Sequence, residues 1–515
     1  MEKKEILIDD WRDLGKPIPM PSGKDYQVVV KREPIPIILL PGIMGSRLRA
    51  AGGKKDRLWD PDYGYGTWMA WTFAMFWVSA ADKQKKLVGG PAFVADHVEV
   101  NEKDASYNKR FREYVGADTR GWGGVAWGNY GPVLAGLTDY PWPGVVNACF
   151  ELPVYAVGYD WRGSAKEAGQ ALKKKVAEIK AAHEGCKQVI LVTHSMGGLV
   201  ARSACKDGMA GDVMAVLHTV QPATGAPAAY WRMKAGFERH GPKGHITSWV
   251  LGANGREVTA MLGHMPGGLQ LLPNKDYRTN EGKPAWLTFK PLGDHGDMPS
   301  YHPRTGDPYT EIYKEEKFPW RLIFWKDYLT GLEDGKAEKS KVDASWKDFS
   351  KWLDDAKEFH DKLKLYEHPE SWHFYGKGRP TADTITLTTT MERHPGMQPI
   401  IPGVPLRPIA DERGSFGLFD WYTPPVDHRW VRPLVSMSQP EGDGDSTVPM
   451  SSGSALKEKS ARLMPIEGSG HDSCFTDVDM VKGRQAGPKG AKARIGLGEI
   501  ITRLCAAKIK KEKHW

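Results

Sequence analysis

The sequence predicts an α/β fold, a doubly wound and mostly parallel sheet that carries a large inserted segment, on three observations. First, short apolar runs alternate with amphipathic helical patterns from about residue 30 to 230. Such alternation marks βαβ units, whose crossover helices cover both faces of a parallel sheet. Second, this regularity fades over 231–430, where Trp, Pro, Gly, Lys and His are frequent, and it returns over 431–515. Third, 515 residues with 40% hydrophobic and 26% charged side chains suffice for one large core with an insertion.

The elements follow in order. "YQVVVKREPIPIILLPGIMG" reads as two strands, the second ending in a glycine-punctuated turn at 41–45. "VYAVGYDWRGS" (154–164) is a short strand and a loop. Ser164 and Glu167 have capping-box spacing, with Ala168, Leu172, Val176 and Ile179 at helical intervals behind them and Gly185 as the stop. "QVILV" (188–192) leads through a turn at Ser195 into the helix "GGLVARSAC", and "VMAVLHTV" (213–220) is the next strand. Within the insertion, "SWKDFSKWLDDAKEFHDKLKLY" is the clear helical patch. The strand "ARLMPIEG" and the amphipathic segment "LGEIITRLCAAKIK" complete the core. The expected division is thus 30–230 as the first part of the core with a lid candidate at 60–90, 231–430 as the cap or lid insertion, and 431–515 as the second part.

Charge and composition exclude several classes. The net charge, 71 − 63 = +8, is a mild excess gathered only at Lys173–Lys175 and in the C-terminal "KIKKEKHW", which read as solvated faces or as contacts for a membrane surface. No helix-turn-helix, zinc-finger or RNP-like pattern supports nucleic-acid binding. Cys149, Cys186, Cys205, Cys474 and Cys505 are odd in number and show no C-x-x-C spacing, so neither a disulfide framework nor a zinc site is signalled. The start "MEKKEILIDDWRDLG" lacks an apolar signal core, and the longest apolar run, "WMAWTFAMFWVSAA" (68–81), falls short of the ~20 residues that span a bilayer. The expectation is a chain that is cytoplasmic as synthesised and exported, if at all, without a signal peptide.

Strand, hard turn and helix in "VILVTHSMGGLVAR" (189–202) would lift Ser195 above the sheet and aim the Met196 amide at a developing oxyanion. A serine hydroxyl needs a base to take its proton and a third group to orient that base. Downstream, "GDGDSTVP" offers Asp443 and Asp445, and "GSGHDS" offers His471, in the order acid then base. The second oxyanion amide is expected from "LLPGIMGSRL", at Ile43 with Met44 as the competitor. The awkward residue is Thr193, which stands where this turn usually has glycine. A β-branched residue suits a strand's last position, and a slightly recessed neighbouring helix would give it room.

On these residues the chain resembles the lecithin:cholesterol acyltransferase-like branch of the α/β-hydrolases, which includes lysosomal phospholipase A2-like enzymes. "PGIMG" (41–45), "YDWR" (159–162), "THSMGG" (193–198), "GDGDSTV" (442–448) and "GSGH" (468–471) carry it, over roughly 35–230 and 430–505. The resemblance implies an α/β-hydrolase fold with Ser195 as nucleophile, Asp445 rather than Asp443 as the acid, His471 as base, and Ile43 and Met196 as oxyanion amides. It implies hydrolysis of lipid esters through an acyl-enzyme, of lipase or phospholipase A type, with no metal and no organic cofactor. Two departures stand out: Ile43 occupies a position that is polar in some members, and the paired lid cysteines are not evident. Trp68, Trp71 and Trp77, with Trp161 of Y-D-W-R, are the candidates for substrate or lid contact; the first three read either as a membrane-docking face or as a buried helix. The rival readings are an acyltransferase, a lipase toxin delivered by a type VI-like machine and met by an immunity or chaperone partner, and an inactive lipid- or partner-binding module.

Overall fold

In the computed structural model, the residues described are 4–17, 26–50, 57–61, 79–88, 92–94, 114, 116–236, 254–291, 299–332, 336–393, 415–417, 431–456, 462–476, 478–479, 484–485 and 489–513. Eleven strands build its two larger sheets: β1 (Ile37–Leu40), β2 (Val154–Ala156), β3 (Val189–His194), β4 (Val213–Thr219), β5 (Leu287–Lys290), β6 (Ser300–His302), β7 (Ser371–Lys377), β8 (Ile385–Arg393), β9 (Ser415–Gly417), β10 (Val431–Met437) and β11 (Leu463–Glu467). The central sheet has the order β11-β7-β4-β3-β1-β2, and every pairing in it is parallel. All six residues of β3 are buried, as a strand covered on both faces requires.

The covering helices lie on opposite faces. Ile38, Leu40, Val189, Leu191 and Val216 share one core with Leu172, Val176 and Ile179 of the helix Ala165–Ala181. Their neighbours in the pleat, Ile37, Leu39, Ile190, Val192 and Leu217, share the other with Val133 and Leu137 of the helix Trp127–Thr138 and with Leu497, Ile501 and Leu504 of the C-terminal helix Lys489–Lys513. This is the doubly wound arrangement expected. The chain runs outward from β1 to β2 and returns to β3 on the other side of β1. Clefts for ligands open at the carboxyl ends of strands beside such a reversal.

The capping box at Ser164 and Glu167 forms, with the Ser164 side chain accepting from the Glu167 N–H. Two expectations need correction. The strand read at Tyr26–Val30 stays out of the central sheet and pairs in parallel with Lys4–Ile8. The stretch 231–430 is also not all insertion, because β7 inside it pairs with both β4 and β11 of the core. "SWHFYGK" mixes aromatic and polar residues instead of the aliphatic run that announces a buried parallel strand.

Among the described residues, the insertion also supplies β5, β6, β8 and β9 to a second sheet, of order β6-β5-β8-β10-β9, in which β10 lies just past residue 430, and it carries the long helix Lys339–Leu363. Phe349, Leu353, Ala356 and Leu363 of that helix join the core on the side of Leu172 and Val176. The buried Arg202, on the helix Gly197–Ala204, fastens the end of the long helix by donating to the Lys364 and Tyr366 carbonyls, each at 2.7 Å. Within the lid candidate 60–90, the helix Ala80–Leu87 docks on the insertion: Gln84 donates to the Ala260 and Leu329 carbonyls, and Lys83 pairs with Glu257 at 3.2 Å. Among the described residues no helix is long and apolar enough to cross a membrane.

Candidate active site

The site lies at the two strand ends flanking the reversal. β3 runs into Ser195, whose φ of +51° is rare outside glycine and belongs to a sharp turn before the helix Gly197–Ala204. A Cβ on Gly197 would stand 2.5 Å from the Pro41 carbonyl oxygen and 2.8 Å from that of Leu40. Glycine is therefore obligatory where the helix starts against the end of β1. Across the cleft, a Cβ on Gly42 would meet Ser195 Cβ at 2.9 Å, so the loop after β1 lies directly on the nucleophile candidate.

Thr193 is accommodated by a device other than the recessed helix expected from sequence. Its side chain is fully buried and its hydroxyl meets His218 Nδ1, on the adjacent β4, at 2.9 Å. His218 stacks on His373 of β7 with ring centroids 5.0 Å apart, and His373 Nε2 reaches Glu367 at 2.8 Å. The substitution for glycine thus begins a polar chain across three strands.

Ser195, His471 and Asp445 come together. His471 Nδ1 lies 2.8 Å from Asp445 Oδ2, and its Nε2 lies 2.8 Å from Ser195 Oγ. A carboxylate only accepts, so Nδ1 carries the proton, Nε2 is bare, and the Ser195 hydroxyl donates to it. The other oxygen of Asp445 accepts from the Thr447 and Val448 amides at 2.9 and 2.7 Å, and the His471 amide donates to the Asp445 carbonyl at 2.9 Å. Asp445 is fully buried. Asp443, the alternative acid, is used up at a turn, where it accepts from the Gly378 amide. Burial works against a charged His471, but the charge and hydrogen bond of Asp445 outweigh it and hold the imidazole above its ordinary pKa of 6.5.

In the loop after β1, the Gly42 amide is spent on the Tyr130 hydroxyl and the Gly45 amide on the Gly42 carbonyl. The Ile43, Met44 and Met196 amides have no acceptor among the described residues. Both oxyanion candidates, and the competitor Met44, are therefore available as donors. Met44 sits at φ +62°, and its carbonyl accepts from Trp59 Nε1 at 2.7 Å.

Trp161 does not fit a role in substrate contact: it is 1% exposed and packs edge-on against Trp59, with centroids 5.6 Å apart. Trp68, Trp71 and Trp77 lie outside the described residues. The Y-D-W-R motif instead braces the fold. The Tyr159 hydroxyl donates to the Pro41 carbonyl, and Arg162 pairs with Asp160 at 2.7 Å while donating to the Leu87 carbonyl. Sequence reading passed over Tyr130, His218 and His373. Only His194 carried a signal, through its place in T-H-S-M-G-G. Among the described residues no group of three or more His, Cys, Asp or Glu is gathered to hold a metal ion.

Parallel sheet, elbow and loop together define the class: the fold is that of the α/β-hydrolases. The chain's resemblance to the lecithin:cholesterol acyltransferase-like members holds, since residues 150–242, from β2 through the elbow to β4 and beyond, match the lecithin:cholesterol acyltransferase family model. The fold is similar to that of a chain in the Tle4–Tli4 complex, with a TM-score of 0.67 and 23% identity over 92% of this chain and 99% of that one. Phospholipase PlaB from Legionella pneumophila aligns over 60% of this chain and 77% of its own, at 13% identity and a TM-score of 0.19, which is too remote to argue from. No protein of curated function matches the chain.

Proposed function

We propose that this chain is a serine carboxylic-ester hydrolase acting on lipid esters, of lipase or phospholipase A type. The observation that carries this reading is the unbroken run of hydrogen bonds Ser195–His471–Asp445, each link 2.8 Å long. Ser195 Oγ attacks the ester carbonyl as its proton passes to His471 Nε2, and Asp445 holds the imidazole in the right tautomer and stabilises its charged form. The Met196 amide and that of Ile43 receive the oxyanion. His471 then protonates the leaving alcohol, and the acyl-enzyme is released to water. The match to an acyltransferase family supports a lipid acyl group as the cargo.

The test is release of fatty acid or p-nitrophenol from short-chain p-nitrophenyl esters and long-chain phospholipid vesicles, with wild type and Ser195→Ala compared. The rate should fall on the order of 10⁶-fold in the variant. Cleavage that survives in Ser195→Ala, or a folded wild type inert on every ester, would sink the proposal.

A second element rests on the Tle4–Tli4 complex, in which the similar chain was crystallised with another protein. We propose that this chain also has a dedicated protein partner and acts as an exported lipase outside the compartment of its synthesis. Directed to a bacterial periplasm, wild type should arrest growth and Ser195→Ala should not. Harmless wild type there would exclude that role and leave the esterase chemistry standing.

A further inference from the structure

The peptide joining Pro41 to Gly42 is gripped at both edges. Its carbonyl accepts from the Tyr159 hydroxyl and its N–H donates to the Tyr130 oxygen, both at 2.9 Å. This peptide immediately precedes the Ile43 amide, so its orientation sets where that amide points. From Tyr130 the path continues: its oxygen lies 2.9 Å from His194 Nδ1, and His194 Nε2 lies 3.0 Å from the main-chain carbonyl of His471.

Every proton on this path has a forced position. An amide N–H only donates, so Tyr130 accepts from Gly42. A carbonyl only accepts, so His194 Nε2 carries the proton that His471 O receives. Nδ1 of the neutral ring is then bare, and the Tyr130 proton goes to it. The ring is neutral because burial, reinforced by the nearby His471, pushes its pKa down to about 4. Tyr130 and His194 are both buried, so water does not compete for these bonds.

We propose that Tyr130 and His194 are positioning residues of the reaction. The path Gly42–Tyr130–His194–His471 ties the oxyanion loop to the backbone of the base, so that oxyanion donor and proton acceptor keep a fixed separation across Ser195. Neither residue touches substrate. The role rests on the esterase reading above and adds to it that the first histidine of H-S-M-G-G and a tyrosine 64 residues upstream act as one unit.

The experiment compares Tyr130→Phe, His194→Gln and the double variant with wild type on a soluble p-nitrophenyl ester. Each preparation is titrated with a fluorophosphonate, so that rates refer to reactive sites and not to total protein. A misplacement of reacting groups approaching 1 Å costs on the order of 10²-fold in rate. The expected result is a kcat per titrated site lowered about 10- to 100-fold in Tyr130→Phe, with KM within about 2-fold and weaker capture of a boronic acid that mimics the tetrahedral adduct. The double variant should be no slower than the worse single one, because both cut the same path. A merely structural role would lower the titratable fraction and leave kcat per site unchanged. That outcome, or effects that multiply in the double variant, would overturn the proposal. An inert wild type would count against the esterase reading itself, so the two failures are distinguishable.

Discussion

The two flanks of the elbow stand at equal distance from Ser195 in sequence and meet opposite demands. On the helix side, Gly197 faces two main-chain oxygens, that of Leu40 at the end of β1 and that of Pro41 in the loop that follows. On the strand side, Thr193 faces the His218 side chain on the neighbouring strand, and that side chain has become its hydrogen-bond partner. A small-x-Ser-x-small turn is therefore not one requirement but two. Backbone contact makes the helix-side glycine obligatory, whereas a side-chain contact lets the strand-side residue be chosen together with its neighbour.

The largest expected effect comes from breaking the helix side. Gly197→Ala drives a methyl to within 2.5 Å of the Pro41 oxygen, on the same peptide that Tyr130 and Tyr159 hold. Overpacking of this kind costs about 1–3 kcal/mol, and shifting the oxyanion loop should lower kcat about 100-fold or more. Urea unfolding and ester kinetics on the same preparation check both halves. An active, fully stable Gly197→Ala would mean that the loop and the elbow part more readily than the contact implies.

Acid sharpens the comparison, because two buried histidines, His194 and His218, sit on the strand side. His194 is pushed from 6.5 to about 4 by burial and by His471, and His218 is also held well below 6.5 by burial, with His373 and Arg202 beside it. The unfolded chain takes up these protons first, so the stability they confer is complete above pH 6.5 and is lost as pH falls toward and through the folded values. For His194 the ceiling is on the order of a few kcal/mol. His471 runs the other way: its raised pKa contributes stability below 6.5, lost as pH rises through the folded value. Urea midpoints should drop steadily from pH 6.5 to 4.5, with a shallower drop in His194→Gln. Because neutral His471 is the base, kcat/KM should climb with pH through a midpoint above 6.5. A midpoint below 6.5 would contradict the Asp445 geometry.

What was legible in the sequence divides along the same line. Continuous aliphatic runs at 37–40 and 189–192, the capping box at Ser164 and the turn at Ser195 declare themselves through local period and composition. Asp445 and His471 were legible because glycine-rich turns follow or precede strands in a fixed order, and Asp443, which the resemblance already sets aside, is claimed by the Gly378 amide. β7 was not legible, since its burial comes from neighbours far away in sequence and not from its own pattern. Tyr130 lies on a helix whose one-dimensional context gives no hint of the loop 88 residues upstream that it holds. Contacts of this kind are properties of the assembled sheet, and no window of sequence contains them.

The smallest effect, and the most discriminating, should come from Thr193→Val. Valine keeps the shape and the buried methyl but removes the hydroxyl, so His218 Nδ1 loses its partner; its Nε2 already has none among the described residues. A buried polar atom stripped of its bond costs about 1–3 kcal/mol. No atom of Ser195, His471 or Asp445 is touched, and the Pro41–Gly42 peptide lies beyond β3 on the other side from β4. Stability should therefore fall while kcat per titrated site stays within about 3-fold. Thr193→Ser, which keeps the hydroxyl, should recover most of the loss, and Thr193→Gly, the residue usual in this turn, should not. If glycine instead proved as stable as threonine, the His218 contact would be incidental and the two flanks would differ only in room. If valine slowed the reaction 100-fold, the strand side would also be aiming the serine, and the division between its two flanks would fail.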